Sequence, residues 1–185
     1  MIRDSAATKA RILDAATAEF AAHGLAGARV DRIAKRAESN KQLIYAYFES
    51  KEKLFDRTLE ANIDRVLSSV PFDTSDLPGY AESLYDFNNR HPELVRLMLW
   101  HSLERPGMLP QLPQFTESMA LKLQALTDAQ GAGTIDASLA PQHLLALLLG
   151  TVHSAWTGEP AGTPREMAAR RRALGVAIRR LTAPA

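Results

Sequence analysis

Apolar residues recur along almost the whole chain at the spacing of an α-helix. Phe115, Met119, Leu123 and Leu126 form one such stripe, at positions i, i+4, i+8 and i+11. This spacing places side chains on one face of a helix. Proline and glycine separate the stripes, and no segment shows the alternation or composition of a strand. The pattern predicts an all-α protein of about nine helices.

Breaks in the periodicity give approximate helix bounds. The helices are expected at 8–23, 30–37, 41–48, 51–70, 76–90 and 93–104, around the stripe above, and at 141–156 and 163–181. Gly24 is a typical C-terminal stop. Before the third helix, Ser39 with Gln42 fits a capping box, and Asn40 is the alternative cap. Thr163 with Glu166 fits a second capping box, with proline at the first helical position.

Composition limits the class of protein. The 185 residues include no cysteine, so disulfides and cysteine-ligated metals are excluded. The N-terminal segment lacks the apolar core of a signal peptide, and the longest apolar run, Leu144–Leu149, is too short to span a bilayer. We therefore expect a cytoplasmic protein with no membrane partner. Through Lys53, ten Lys/Arg face seven Asp/Glu, which suggests an anionic partner for this end.

The second and third predicted helices are short and joined by a turn of three to four residues, which is typical of a helix-turn-helix. On the third helix Ile44 and Phe48 lie four residues apart and face the first helices. The outward residues are Gln42, Leu43, Tyr45 and Ala46, with Lys41 and Tyr47 at the flanks. Glutamine bonds adenine edges, leucine meets thymine methyl groups, and tyrosine and lysine reach phosphates. The alternative for the tyrosines is plain packing.

The segment from Thr8 to Phe55 resembles the N-terminal DNA-binding domain of the TetR family of bacterial transcriptional regulators. The matching pieces are the RILDAA start, Phe20, the stop at His23 and Gly24, the VDRIA segment from Val30 to Ala34, and IYAYF from Ile44 to Phe48 followed by Ser-Lys-Glu. They cover about a quarter of the chain.

The resemblance implies a homodimeric repressor that binds a palindromic operator and is released by an unidentified small molecule. It implies a three-helix helix-turn-helix domain at residues 1–50 and a helical ligand-binding and dimerisation domain at 51–185. The DNA contacts implied are Arg29, Lys41, Gln42, Leu43, Tyr45, Tyr47 and Lys51. No cofactor or metal is expected.

Three positions depart from the family pattern. Glu38 stands where the turn glycine is usual, which brings a carboxylate near the DNA and disfavours a positive φ. Ala28 and Arg29 replace the usual Ser/Thr at the start of the second helix, and Arg29 offers a phosphate contact instead. Gln42 and Leu43 replace a smaller pair, so the operator sequence cannot be taken from better-known relatives.

The remaining residues suggest a ligand pocket and a dimer interface. The pocket candidates are mostly aromatic or large: Tyr80, Phe87, Met98, Trp100, His101, Phe115, Met119, His153 and Trp156. For each one the alternative is an ordinary core or surface role, and the histidines show no zinc spacing. The last two helices are the predicted interface, as a four-helix bundle between two chains through Leu144, Leu148, Val152, Met167, Leu174, Ile178 and Leu181.

Two other functions stay open at this point. One is an activator or a DNA-binding protein with little sequence preference. The other is a small-molecule-binding protein or enzyme whose helical head is vestigial. No nucleophile–base pair, metal spacing or phosphate loop is visible, so an enzyme is not expected. Arg170–Arg172 point in three directions from one helix, which favours a solvated face or the rim of a dimer interface over a second nucleic-acid patch.

Overall fold

Every regular element in the described part of the chain is helical, which confirms the all-α prediction. The structure is a computed structural model that describes residues 2–156 and 162–184, with residues 2–4 as backbone only. The nine α-helices are α1 (Ile2–Gly27), α2 (Val30–Arg36), α3 (Lys41–Phe48), α4 (Lys51–Ser69), α5 (Leu77–Arg90), α6 (Pro92–Glu104), α7 (Pro113–Gly131), α8 (Pro141–Ala155) and α9 (Pro164–Thr182). Two short 3₁₀ turns occupy Thr74–Asp76 and Leu109–Gln111.

Gly24 interrupts α1 without ending it. The helix was predicted to stop there, but Gly24 takes φ 66° and ψ −177° and the chain then makes one further helical turn to Gly27. A Cβ atom on Gly24 would lie 2.8 Å from the indole of Trp100, so both the positive φ and the close approach require glycine.

The described residues divide into two compact units. The first contains residues up to 65 together with 92–112, and the second contains 66–91 together with 113–184. The boundary therefore falls inside α4, and α6 belongs to the unit that carries α1, α2 and α3.

The first unit is built on contacts of α1 with α2 and α6. Phe20 and Phe55 meet edge to face with ring centroids 4.9 Å apart, and both are fully buried. Ile12, Ile33 and Leu97 are also excluded from solvent. Fully burying one such side chain stabilises the fold by about 1.5–3 kcal/mol, so this core fixes the helices that surround it.

In the second unit α5, α8 and α9 pack together, and α7 packs on α8. Leu148 and Ile178 are fully buried. Arg171 binds Glu82 at 2.5 Å and Asp86 at 2.9 Å, and so joins α9 to α5. Arg171, the middle residue of Arg170–Arg172, is therefore engaged in ion pairs within the chain.

The capping box predicted for α9 is confirmed. The backbone N–H of Thr163 donates to the Glu166 carboxylate at 2.7 Å, and the Glu166 N–H donates to the Thr163 hydroxyl at 3.3 Å. The box satisfies two N–H groups of the first turn that have no partner within the helix.

Candidate nucleic-acid interface

Helix α3 exposes one face and buries the other. Ile44 and Phe48 are buried at 1% and 7% exposure. Gln42, Tyr45 and Ala46 are exposed, and Leu43, Tyr47 and Lys41 lie half-buried or exposed at the edges of the same face. The polar side chains of this face are therefore available to a partner along the whole length of the helix.

Asn40, rather than Ser39, caps α3. Its side-chain oxygen accepts the backbone N–H of Leu43 at 2.8 Å. The Ser39 hydroxyl is buried and makes no hydrogen bond within the described residues. An asparagine cap is worth about 1 kcal/mol, and here it fixes the turn from which the exposed face of α3 begins.

The turn between α2 and α3 contains a strained glutamate. Glu38 has φ 49°, in the left-handed region that glycine adopts most easily. Its N–H donates to the Lys35 carbonyl, and the N–H of Ser39 donates to the Ala34 carbonyl at 2.9 Å. The turn geometry therefore requires the positive φ even though the sequence supplies a side chain that disfavours it.

A second positive φ ends α3. Glu49 has φ 66° and ψ −53°, and the N–H of Ser50 reaches back to the Phe48 carbonyl at 2.7 Å, which makes a γ-turn. The Ser50 hydroxyl then accepts the N–H of Lys53 at 3.1 Å and caps α4. Helix α4 begins directly after α3, with its positive N-terminal dipole at this corner.

Two lysines predicted to contact DNA already have partners within the chain. Lys41 pairs with Asp31 at 3.2 Å on an exposed surface, where such a pair is worth at most about 1 kcal/mol. The Lys51 ammonium donates to the carbonyl oxygens of Ala26 and Ala28 at 3.4 and 3.3 Å. Lys51 therefore also neutralises the carbonyl end of α1.

Arg29 is exposed at the start of α2, and its backbone is held by a buried carboxylate. Glu19 accepts the Arg29 N–H at 2.9 Å and the Arg32 guanidinium at 2.6 Å. Burial opposes ionisation of Glu19, but the bonds from Arg32 and Arg29 lower the pKa of its carboxyl overall. Glu19 thus orients the start of α2, a role that local periodicity does not reveal.

Lys9 is a further basic residue next to α3. Its ammonium lies 5.0 Å from the centroid of the Tyr47 ring. The contact places a positive charge from the first turns of α1 beside the exposed face. No local pattern predicts it, because the two residues are 38 positions apart in the chain.

Three side chains from α6 and the residue that follows it bind α1 and α4 within the first unit. The Trp100 indole N–H donates to the Ala21 carbonyl at 3.3 Å. The Glu104 carboxylate accepts the N–H groups of Leu25 and Ala26. Arg105 pairs with buried Asp56 of α4 at 2.9 Å. These contacts tie the position of α1 and α4 to that of α6.

His101 lies within this contact region. Its ring stacks on Phe55 with centroids 6.0 Å apart, and it is 1% exposed. Burial lowers the pKa of His101, opposed by Asp56 and assisted by Arg105. One polar atom from each of these three residues, His101 Nε2, Asp56 Oδ1 and Arg105 Nε, is buried without a hydrogen-bond partner in the described residues.

The predicted pocket residues are divided between the two units. Met98, Trp100 and His101 belong to the first unit. There Trp100 bonds Ala21, and His101 stacks on Phe55. The second unit contains Tyr80, Phe87, Phe115, Met119, His153 and Trp156, of which His153 is exposed and Tyr80, Phe87 and Trp156 are buried. Within the described residues no group of three His, Asp or Glu side chains is placed to hold a metal ion.

The residues predicted for the dimer interface lie mostly inside the second unit. Leu144, Leu148, Val152, Leu174 and Ile178 are at most 3% exposed in the single chain, and Met167 and Leu181 are half-buried. The exposed apolar surface of the same helices comes from other positions. Leu147 on α8 is 48% exposed and Val176 on α9 is 49% exposed. On α8 and α9, the apolar periodicity therefore marks the face that packs inside the chain.

Across residues 2–156 and 162–184, none of the helices combines the length and the apolar character needed to cross a membrane.

Comparisons with known proteins agree with this geometry. Residues 12–58 match the model of the tetR family of bacterial regulatory proteins, and residues 76–180 match the tetracyclin repressor-like C-terminal domain. The HTH-type transcriptional repressor SCO4008 of Streptomyces coelicolor is 46% identical over 148 residues, which cover 80% of this chain and 77% of that protein. The HTH-type transcriptional repressor NicS of Pseudomonas putida is 34% identical over 105 residues, or 53% of this chain and 50% of that protein.

A solved structure has the same fold over nearly the full length. The transcriptional regulator SCO4942 of Streptomyces coelicolor superposes with a TM-score of 0.81 at 35% identity, covering 96% of this chain and 99% of that one. The match spans both family domains and the exposed helix α3 lies inside the first of them. The chain belongs to the TetR family of bacterial regulatory proteins, and it is a DNA-binding transcriptional regulator rather than an enzyme.

Proposed function

We propose that this regulator is a homodimeric repressor that binds a palindromic operator and leaves it when a small molecule binds. The observation that carries the proposal is the exposed face of α3, where Gln42 and Tyr45 project from a helix held by the Asn40 cap and by buried Ile44 and Phe48. Two of the similar proteins described above, SCO4008 and NicS, are named transcriptional repressors, which supports repression over activation. The site of action is then the bacterial cytoplasm.

In this proposal residues 1–50 bind DNA and residues 51–185 bind the ligand and the second chain. Gln42 and Leu43 read base edges, because they project from the first turn of α3. Phosphates are contacted by Arg29, Lys41, Tyr45, Tyr47 and Lys51. Lys41 exchanges its pair with Asp31 for a phosphate, which costs little because the pair is exposed.

The dimer forms through α8 and α9, with the exposed face of these helices in contact. Leu147 and Val176 lie at its centre, and small side chains flank them, with Ala146 and Gly150 on α8 and Ala173 and Ala177 on α9 exposed. Small residues allow the helices of a four-helix bundle to approach closely. The residues predicted from sequence support the same helices from within.

Release follows from a change in α4. This helix begins at Lys51, next to the end of α3, and its last residues belong to the second unit. A ligand that shifts α4 changes the separation of the two recognition helices, which must be roughly 34–36 Å to enter successive major grooves. Operator affinity then falls because both helices cannot bind at once.

The test is selection of DNA from a random pool with the purified chain, followed by affinity measurements against scrambled DNA at several salt concentrations. A palindromic sequence preferred by orders of magnitude is the expected result. Binding without sequence preference, with a steep dependence on salt, would indicate a nonspecific DNA-binding protein instead. Absence of any DNA binding would assign the function to the helical body. A reporter assay with the selected operator distinguishes repression from activation.

A further inference from the structure

An open groove lies on the second unit, between the end of α4, the loop that follows it and α7. Its volume is about 530 Å³. Leu67, Val70 and Leu121 supply apolar lining, and Phe72, Lys122 and Glu117 supply the ring and the charges that matter below. Pockets for small molecules commonly have volumes of about 300–1,000 Å³, so the groove has room for one.

Lys122 is the unusual member of this lining. Lys122 is only 8% exposed, whereas lysines are almost never fully buried unless they are paired. The ammonium lies 5.8 Å from the centroid of the Phe72 ring and 5.9 Å from that of Tyr80, and the two rings meet edge to face at 4.9 Å. Within the described residues it forms no ion pair with a carboxylate, and the two rings are the groups that its ammonium contacts.

This arrangement leaves a mostly buried cation without a counter-charge among the described residues. A cation over an aromatic face gains about 0.5–2 kcal/mol, which is less than a buried ammonium loses on leaving water. The same burial lowers the pKa of Lys122 and raises the pKa of Tyr80 to about 12. An anion arriving from the groove would supply the missing charge, and methionine at this position would avoid the cost altogether.

The other charge in the lining limits what the anion can be. Glu117 is exposed at the groove and lies one helical turn before Leu121 on α7. It repels a second negative charge on the ligand. The apolar strip of Leu67, Val70 and Leu121, with Leu121 66% exposed, instead favours an aliphatic or aromatic body.

We propose that this groove is the effector site and that it takes a monocarboxylate with an apolar body. The carboxylate binds Lys122, and the body lies along Leu67, Val70 and Leu121. That the ligand acts as an effector rests on the proposed function, whereas binding of the ligand to the groove does not depend on DNA. Occupation would reach α4 directly, because Leu67 is one of its residues.

The test uses decanoate below its micelle threshold, measured by titration calorimetry on the full-length chain. Decanol and decylammonium are matched probes with the same apolar body and no negative charge. Decanoate is expected to bind at least 10-fold more tightly than either. Lys122→Met should weaken decanoate binding at least 10-fold and leave decanol unchanged, while Lys122→Arg should keep the preference for the carboxylate. Wild-type protein that fails to bind decanoate, or equal decanoate affinity in wild type and Lys122→Met, would overturn the assignment.

A purely structural role for Lys122 predicts a different set of results. If the lysine only braced the rings, Lys122→Met would lower the midpoint of chemical denaturation, whereas loss of a buried charge should raise it. The operator selected above separates the two proposals. Operator binding that decanoate weakens in wild type but not in Lys122→Met supports both. Operator binding with no decanoate binding removes the effector assignment alone, and Lys122-dependent decanoate binding without any operator removes the repressor proposal alone.

Discussion

The carboxylate of Glu104, near the end of α6, accepts a hydrogen bond from the backbone N–H of Ala26 at 3.1 Å and a second one from Leu25. The two N–H groups belong to the helical turn that follows the kink at Gly24, where they have no partner within the helix. A side chain 78 residues away in sequence therefore caps α1 and couples it to α6.

Glu104→Ala should destabilise the protein by about 1–2 kcal/mol, because two backbone donors lose a charged acceptor. Chemical denaturation measures the change in the free energy of unfolding. Asp64→Asn, an exposed carboxylate change on α4, serves as the control and should change stability by less than about 0.5 kcal/mol. Equal effects of the two variants would show that the cap contributes nothing.

Glu38→Gly should stabilise the protein by about 1 kcal/mol, since glycine adopts φ 49° without the steric penalty that glutamate carries. It should also tighten DNA binding for all sequences by removing a carboxylate beside the recognition helix. Glu38→Gln separates the two effects, because it removes the charge and keeps the strained backbone. If Glu38→Gln stabilises the fold as much as Glu38→Gly, the backbone explanation fails.

Gln42→Ala should relax the preference at one base-pair position of the selected operator by about 1–3 kcal/mol, as expected for the loss of a bidentate base contact. Lys41→Ala should instead weaken binding to all sequences alike and reduce the salt dependence. Affinities for the operator and its single-base variants distinguish the patterns. A uniform loss with Gln42→Ala would place Gln42 against the backbone of the DNA.

Leu147→Glu should convert the dimer to monomer, because it puts a charge at the centre of the exposed α8 surface. Sedimentation velocity measures the oligomeric state, and operator affinity should fall with it. Leu103→Glu is the matched control, since Leu103 is 74% exposed on α6 and lies outside the proposed interface. Dissociation by both variants, or by neither, would contradict the assignment to α8 and α9.

His101 should make stability depend on pH below neutrality. Its pKa is lowered mainly by burial from an ordinary 6.5, so the unfolded chain binds the proton at higher pH than the folded one. The free energy of unfolding that depends on neutral His101 is fully present above about pH 6.5. It decreases as the pH falls from there towards the lower pKa of the folded state. Denaturation midpoints at pH 7.5, 6.5 and 5.5 should fall less in His101→Phe, which retains a ring against Phe55.

His143→Gln, a change at an exposed histidine on α8, should keep the full wild-type fall over the same pH range. A fall of the same size in His101→Phe as in wild type would assign the pH dependence to other groups.

Local periodicity was sufficient to predict that each helix exists and how α3 is oriented, but it did not predict that α1 continues past Gly24. Ile44 and Phe48 point inward because apolar residues four apart share a helix face, and that depends only on neighbouring residues. Which helices meet was harder to infer. Trp100 stays a predicted pocket residue, and its indole N–H also donates to the Ala21 carbonyl, a partner 79 residues away that no local pattern encodes.

The same limit applies to buried polar groups. Asn62 on α4 donates to the Thr17 hydroxyl on α1 at 2.9 Å, and both are buried. In the sequence these residues look like ordinary polar interruptions of two apolar stripes. Lys122 was also missed, because its importance comes from Phe72 and Tyr80, which lie far from it in the chain.

The composition of the first unit has a consequence for engineering and for recombination between regulators. Because residues 92–112 belong to the same unit as residues up to 65, the helix-turn-helix packs in a unit that is not one continuous segment. A chimera that joins the first 50 residues to the C-terminal domain of another regulator lacks Trp100, Glu104 and Arg105. We expect operator specificity to be transferred intact when residues 92–112 of the donor, which carry these three contacts, are moved together with its helix-turn-helix. Operator preference and stability are then inherited together.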